Sequence, residues 1–176
     1  MTTNTRIDEH VSLRPETPED REFLADLYAS TREEELRAVT SWNDAEKRAF
    51  LRMQFDAQFD HYRKHYSAAE FWVIERDGER VGRLYLHYKP DDLRIVDIAL
   101  VAAVRGEGIG GRLLGGLLDA ARAGGYSVSI HVERNNPAMR LYERLGFVPI
   151  DEHGIYFLME WKPEATTDAD AAVRPT

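Results

Sequence analysis

The sequence predicts an α+β (mixed α/β) domain, with antiparallel strands first and then a strand–loop–helix–strand–helix unit. Three observations carry this reading. Between Glu70 and Val101, three short apolar runs are separated by turn residues, as in a meander. A glycine-rich stretch, "RGEGIGG", then leads into apolar residues at helical spacing. Strand-like runs return after that helix, at "YSVSIHV", "FVPI" and "IYFLMEW".

Taken in order, "VSLRPET" from Val11 reads as a short strand. Thr17-Pro18-Glu19-Asp20 then marks a helix start, with a Thr cap, Pro at the first helical position and an acid three residues after the cap. Phe23, Leu24, Leu27 and Tyr28 give that helix one apolar face. A second helix begins near Ser41-Trp42-Asn43-Asp44 and runs to about Tyr66. Its Leu51, Phe55, Phe59, Tyr62 and Tyr66 recur at helical spacing and form either core or the wall of a substrate groove. "EFWVIE" and "RVGRLYLHY" are strands joined at Arg76-Asp77-Gly78-Glu79, where Asp-Gly signals a hairpin. "LRIVDIALV" follows through the Pro90-Asp91-Asp92 turn. Ile109, Leu113, Leu114, Leu117, Leu118 and Ala121 mark a helix that stops at Gly124-Gly125. Ala138, Leu141 and Leu145 mark another, ended by Gly146.

The 176 residues suit one domain with a core of its own. Residues 1–10 read as a flexible N-terminus, 11–161 as a single domain and 162–176 as a disordered tail lacking apolar periodicity. A formal net charge of −8 argues against nucleic acid as a partner and suits a cationic substrate, or simply a soluble surface. With no cysteine, the chain has no disulfide, thiolate metal site or cysteine nucleophile. No metal site is expected. No apolar stretch approaches the roughly 18 residues of a membrane span, and the N-terminus shows no secretory signal, so the expected location is cytoplasmic.

The glycine loop raises the functional question. Gly106-Glu107-Gly108-Ile109-Gly110-Gly111 satisfies the G-x-G-x-x-G dinucleotide pattern, and Glu133 lies where a ribose-binding acid is expected. Three features oppose that reading. Ala102-Ala103-Val104-Arg105 separate the strand from Gly106, too little chain follows to complete a doubly wound sheet, and a meander precedes the loop. A triphosphate-binding P-loop fails because no Gly-Lys-Ser/Thr follows.

Arg105-x-x-Gly108-x-Gly110 instead resembles the R/Q-x-x-G-x-G/A signature of the GNAT N-acetyltransferase family. "IHVERNNPAMRLYERLGF" resembles that family's second motif, N-x-x-A-x-x-L-Y followed by G-F, at Asn135, Ala138, Leu141, Tyr142, Gly146 and Phe147. The likeness is motif-level from Ile95 to Phe147 and architectural from Val11 to Trp161. It implies a mostly antiparallel sheet with a splayed parallel strand pair, flanked by about four helices. It also implies acetyl-CoA as co-substrate. Independently, a helix N-terminus offers unpaired N–H groups and positive partial charge to a pyrophosphate.

On that template Ala99, Leu100, Val101, Ala103 and Val104 contact the pantetheine, and an N–H near Val101 polarises the thioester oxygen. Arg105, Gly106, Glu107, Gly108, Ile109, Gly110 and Gly111 hold the pyrophosphate, with Arg112 adding charge. Asn135 binds the lower pantetheine arm beside Ala138 and Tyr142. Tyr142 is either core or, as the motif implies, the general acid for the departing thiolate. The base does not carry over. Asp97 on the central strand is the leading candidate, with His131, Glu133 or water as alternatives and His87, His153 and Glu33-Glu34-Glu35 more remote.

The expected partner is a small-molecule or peptide amine, with no nucleic acid and no membrane. Homodimers are common among the proteins it resembles. The competing function is a non-catalytic acyl-CoA sensor of the same fold.

Overall fold

The computed structural model describes residues 4–164. Residues 1–3 of the expected flexible N-terminus, and the expected tail from residue 165, lie outside the described residues. The elements run β1 (Thr5–Arg6), β2 (Val11–Pro15), α1 (Arg21–Arg37), α2 (Asp44–His65), β3 (Glu70–Arg76), β4 (Glu79–Tyr88) and β5 (Asp92–Leu100). Then come α3 (Ile109–Gly124), β6 (Ser127–Glu133), α4 (Met139–Arg144), β7 (Val148–His153) and β8 (Tyr156–Trp161). They form one sheet in the order β1-β2-β3-β4-β5-β6-β8-β7. Among the described residues, only β5 and β6 pair in parallel. This is the expected fold class, and β1, which pairs with β2, is an addition to the sequence reading.

Local chemistry explains the element boundaries. Thr17 and Asp20 make a reciprocal capping box around a short turn before α1. Asp20 is buried and held by both Nη atoms of Arg14, each at 2.7 Å. Asn43 and Glu46 make the equivalent box for α2. The β3–β4 hairpin turns at Asp77 and Gly78, with φ of 51° and 82°, the positive pair that a two-residue hairpin requires.

The main core lies between one face of the sheet and α3 with α4. Leu84, Leu86, Leu93, Ile95, Val128, Ile130 and Val132 pack there against Ile109, Leu113, Leu114 and Leu118. Side chains alternate along a strand, so Arg83 and Tyr85 face the opposite side, where α1 and α2 sit. Those two helices share a separate small cluster of Leu24, Tyr28 and Phe55. The aromatic stripe of α2 therefore divides between both expected roles. Phe55, with Leu51 and Phe59, belongs to the inter-helix cluster. Tyr62 and Tyr66 instead lie over the sheet, edge-on to Tyr85 and His87.

One irregularity shapes everything that follows. The β5–β6 ladder spans only Asp92↔Ser127 to Ile95↔Ile130. On the other side of β5, the register steps from Leu86↔Ile95 to Tyr85↔Asp97 and leaves Val96 unopposed. An extra residue of this kind bends its strand. Parallel pairing stops at the residue before the bulge, so β5 and β6 part. Meanwhile β5 stays paired with β4 to Leu100, and β6 with β8 to Glu133. The sheet forks.

Candidate active site

The fork presents unpaired backbone. Val101 donates its N–H to the Val81 carbonyl at 2.8 Å. Antiparallel pairs alternate in direction, so Ala99 and Asp97 also face β4, while Ile98 and Leu100 turn their N–H and C=O groups toward the gap. The Leu100 carbonyl accepts Arg105 Nε at 2.8 Å. The N–H of Val101 is thus engaged in the ladder. The donors aimed into the fork are those of Ile98 and Leu100.

At the fork's mouth, residues 102–104 make one tight turn and the glycine loop enters α3. Gly106 and Gly108 have φ of 79° and 81°, a region that a side chain makes costly. Among the described residues, apart from Gly106 and its two chain neighbours, no atom lies within 4 Å of the place a Cβ would take at Gly106. The first bond of α3 runs from Arg112 N–H to the Gly108 carbonyl, leaving the N–H groups of Ile109, Gly110 and Gly111 without helical acceptors. This open cradle of donors at a helix N-terminus fits a pyrophosphate. Its charged side chains have protein partners. Arg105 folds back to Leu100 and Ser30, Arg112 pairs with Asp8 at 2.7 Å, and Glu107 pairs with Arg76. Ile109 is a core residue and Val104 is buried, so what they can offer is backbone.

The second motif meets the first directly. Leu141 on α4 approaches the sites of Gly110 and Gly111, 3.6 and 3.8 Å from where a Cβ would stand. The next residue, Tyr142, is 3% exposed and its ring meets Phe147 edge-on at 5.8 Å. Among the described residues no protein group hydrogen-bonds its hydroxyl. Burial, with the Asp97 charge adding, pushes its pKa well above the ordinary tyrosine value. Asn135 is exposed in the turn before α4, where Asn136 Oδ1 accepts the Ala138 N–H at 2.8 Å. Ala138 packs against the main core.

Asp97 sits one residue past the bulge, and it is not alone. Arg83 Nη2 donates to its Oδ2 at 2.5 Å, and the two side chains are 4% and 17% exposed. The Tyr62 hydroxyl donates to the same oxygen at 3.3 Å, and Arg83 also reaches Gln58 Oε1 at 2.9 Å. Desolvation is the largest single influence on Arg83 and opposes its charge, yet Asp97, with Tyr85 and Tyr62 adding, raises the arginine's pKa. Sequence reasoning missed Arg83 and Gln58. The available signal was a lone cation in the middle of the apolar run "RVGRLYLHY".

Of the other candidate bases, Glu133 and His131 are matched in the same way. Glu133 Oε1 accepts from Arg32 at 3.1 Å and from the Tyr156 hydroxyl at 3.3 Å. His131 Nδ1 lies 2.9 Å from Arg94 Nη1. His87 packs under Tyr66 with a buried, unpartnered Nδ1, and His153 is exposed beside Asp151. Glu33 and Glu35 pair along α1 with Arg37 and Arg32. Among the described residues no group of three or more His, Asp or Glu could hold a metal ion, and no helix is long and apolar enough to cross a membrane.

Residues 22–147 match the model of the acetyltransferase (GNAT) family. The chain belongs to the GNAT family. Among curated proteins, no sequence relative is found. Solved structures are similar in fold. The PaiA N-acetyltransferase of Thermoplasma acidophilum, in complex with coenzyme A, is 18% identical with a TM-score of 0.65, covering 86% of this chain and 98% of its own. RimL, the ribosomal L7/L12 alpha-N-protein acetyltransferase, also in complex with coenzyme A, is 14% identical with a TM-score of 0.60 over 92% and 98%. The Salmonella typhimurium acetyl transferase that modifies the N-terminal serine of L7/L12 is 16% identical, with a TM-score of 0.57 over 90% and 96%. Acetyl-CoA as co-substrate fits this family. In this GNAT chain the glycine loop, the forked strands and the tyrosine helix converge on one place.

Proposed function

We propose that the chain is an N-acetyltransferase moving an acetyl group from acetyl-CoA directly to a primary amine of a small molecule or peptide. One observation carries the reading: the glycine cradle and the Tyr142 helix are packed together, through Leu141, at the mouth of a fork with free backbone donors. The N–H groups of residues 106–111 would hold the pyrophosphate. Ala99 to Val104 would line the pantetheine, with Asn135 and Ala138 on the facing side. Bound acetyl-CoA supplies an activated thioester. The amine nitrogen bonds to its carbonyl carbon, the carbon–sulfur bond breaks, the nitrogen gives its proton to solvent water, and the thiolate takes one from Tyr142, which is reprotonated from solvent.

The chain's own groups support both ends of that exchange. Ile98 and Leu100 N–H face the gap and would there stabilise the carbonyl oxygen as it gains negative charge. Tyr142 keeps its proton at neutral pH and has no protein acceptor competing for it, as a donor to the thiolate needs. Asp97 Oδ1, unoccupied by protein groups among the described residues, can orient the amine.

A thiol-release assay over a broad amine panel tests the function. Amine-dependent release of CoA is expected. Binding of acetyl-CoA without release under any amine would mark a sensor domain instead.

A further inference from the structure

We infer that the acceptor is a weakly basic α-amine flanked by a carbonyl, as at a peptide N-terminus, taken up as the neutral amine in preference to a lysine-type alkylamine. This rests on the acetyltransferase reading above. It comes from how the acids around the fork are partnered. A strongly basic amine arrives as a cation, so its site needs an unmatched carboxylate and a group free to take the proton.

Neither is present among the described groups facing the fork. His87, whose buried Nδ1 has no partner among the described residues, stands opposite Arg94 where β5 and β6 are still paired, and Tyr66 covers it. Asp97 has Arg83 against it, 2.5 Å away and buried. Its free oxygen can accept an N–H, but protonating it would leave Arg83 a buried cation without counter-charge. Glu133 is tied to Arg32 and Tyr156 through one oxygen. His131 is excluded by its geometry. Arginine only donates, so Nδ1 must accept from Arg94, and the neutral ring then carries its proton on Nε2. Burial and the Arg94 charge also lower the His131 pKa, against formation of the imidazolium. Tyr62 donates to Asp97, and Tyr142 is held protonated. The site can orient an amine and protonate a thiolate, yet it offers no base for an alkylammonium.

The acceptor must then bring its own neutral fraction. At pH 7 an α-amine, with a pKa near 7.7–8.0, is about one-tenth neutral, whereas a lysine amine near 10.4 is neutral in roughly one molecule in 2,500. The neutral fraction alone therefore favours the α-amine by about 300-fold at pH 7.

The test uses CoA release from acetyl-CoA between pH 6.5 and 10 with three acceptors. One is a peptide with a free N-terminus and blocked lysine, one has a blocked N-terminus and free lysine, and one is an amino-acid amide. The expected result is a kcat/KM for the free N-terminus that levels off near pH 8. The lysine peptide should be about 300-fold poorer at pH 7 and gain about tenfold per pH unit. The amide separates a small acceptor from a peptide, since only a peptide-reading site would favour the first substrate over it. Asp97→Asn should reduce every rate by one pH-independent factor, because the amine loses its orienting carboxylate. Comparable rates for both peptides at pH 7, or an Asp97→Asn loss that shrinks as pH rises, would overturn the inference. No release with any amine would instead overturn the acetyltransferase reading itself.

Discussion

Tyr142 is buried to 3% exposure, yet its hydroxyl meets no protein partner among the described residues. A hydroxyl so placed contributes little to the fold and is available to a ligand. Tyr142→Phe should therefore keep stability and CoA affinity while reducing kcat by about 10²-fold, measured by thiol release. Its raised pKa means that no alkaline loss of activity through pH 10 should trace to this residue. Arg83 behaves oppositely. Removing one partner of a buried pair leaves the other uncompensated, so Arg83→Met should cost about 3–5 kcal/mol in urea unfolding. Adding Asp97→Asn to it should restore much of that loss, because the stranded charge is then gone.

At the scale of elements, glycines mark where backbone must come close or turn unusually. Gly108 at φ 81° opens α3, and a Cβ there would also press on the Arg112 guanidinium at 3.3 Å. Gly108→Ala should cost about 1 kcal/mol of stability and weaken CoA binding by calorimetry, since the cradle's donors are re-aimed. Gly82 on β4 has a different role. A Cβ there would collide with the Ala99 carbonyl and crowd Leu100, so Gly82→Ala should push β5 toward the gap and lower both Tm and turnover. The order of elements was legible because capping boxes, Asp-Gly and glycine stops are local signals. So was the loop, whose glycine spacing is read within seven residues. The fork was legible only by family likeness, because the bulge at Val96 arises from register against β4, which sequence alone does not reveal. The Arg83–Asp97 pair escaped for the same reason, since its partners lie 14 residues apart on two strands.

For the whole molecule, acid stability concentrates at Asp20. Its bond to Arg14, with the Thr17 N–H and Arg80 adding, holds its pKa far below the usual carboxylate value despite burial. A depressed folded pKa gives stability that is complete above the unfolded value and lost as pH falls through and below it. Wild-type Tm should therefore drop steeply below about pH 4, and Asp20→Asn should flatten that drop while lowering Tm at pH 7. The first and last strands are joined to this frame unequally. β1 and β2 flank one side of the sheet, while the last two strands hang from β6 on the other.

Those two half-sheets share only four rungs of ladder before they separate at Ile95 and Ile130. The pantetheine of CoA is itself an extended chain bearing two amides, so in the gap it can act as a surrogate strand and stitch the halves together. Loading the protein then resembles completing its own architecture. Amides of Ile98 and Leu100 should exchange with solvent freely in the empty protein and slowly in the loaded one. The rest of β5, already laced to β4, should change little. Protection spread evenly over the sheet would mean that the ligand merely stiffens the protein. Protection confined to the two facing edges would mark the ligand as a missing piece of secondary structure, made of something other than polypeptide.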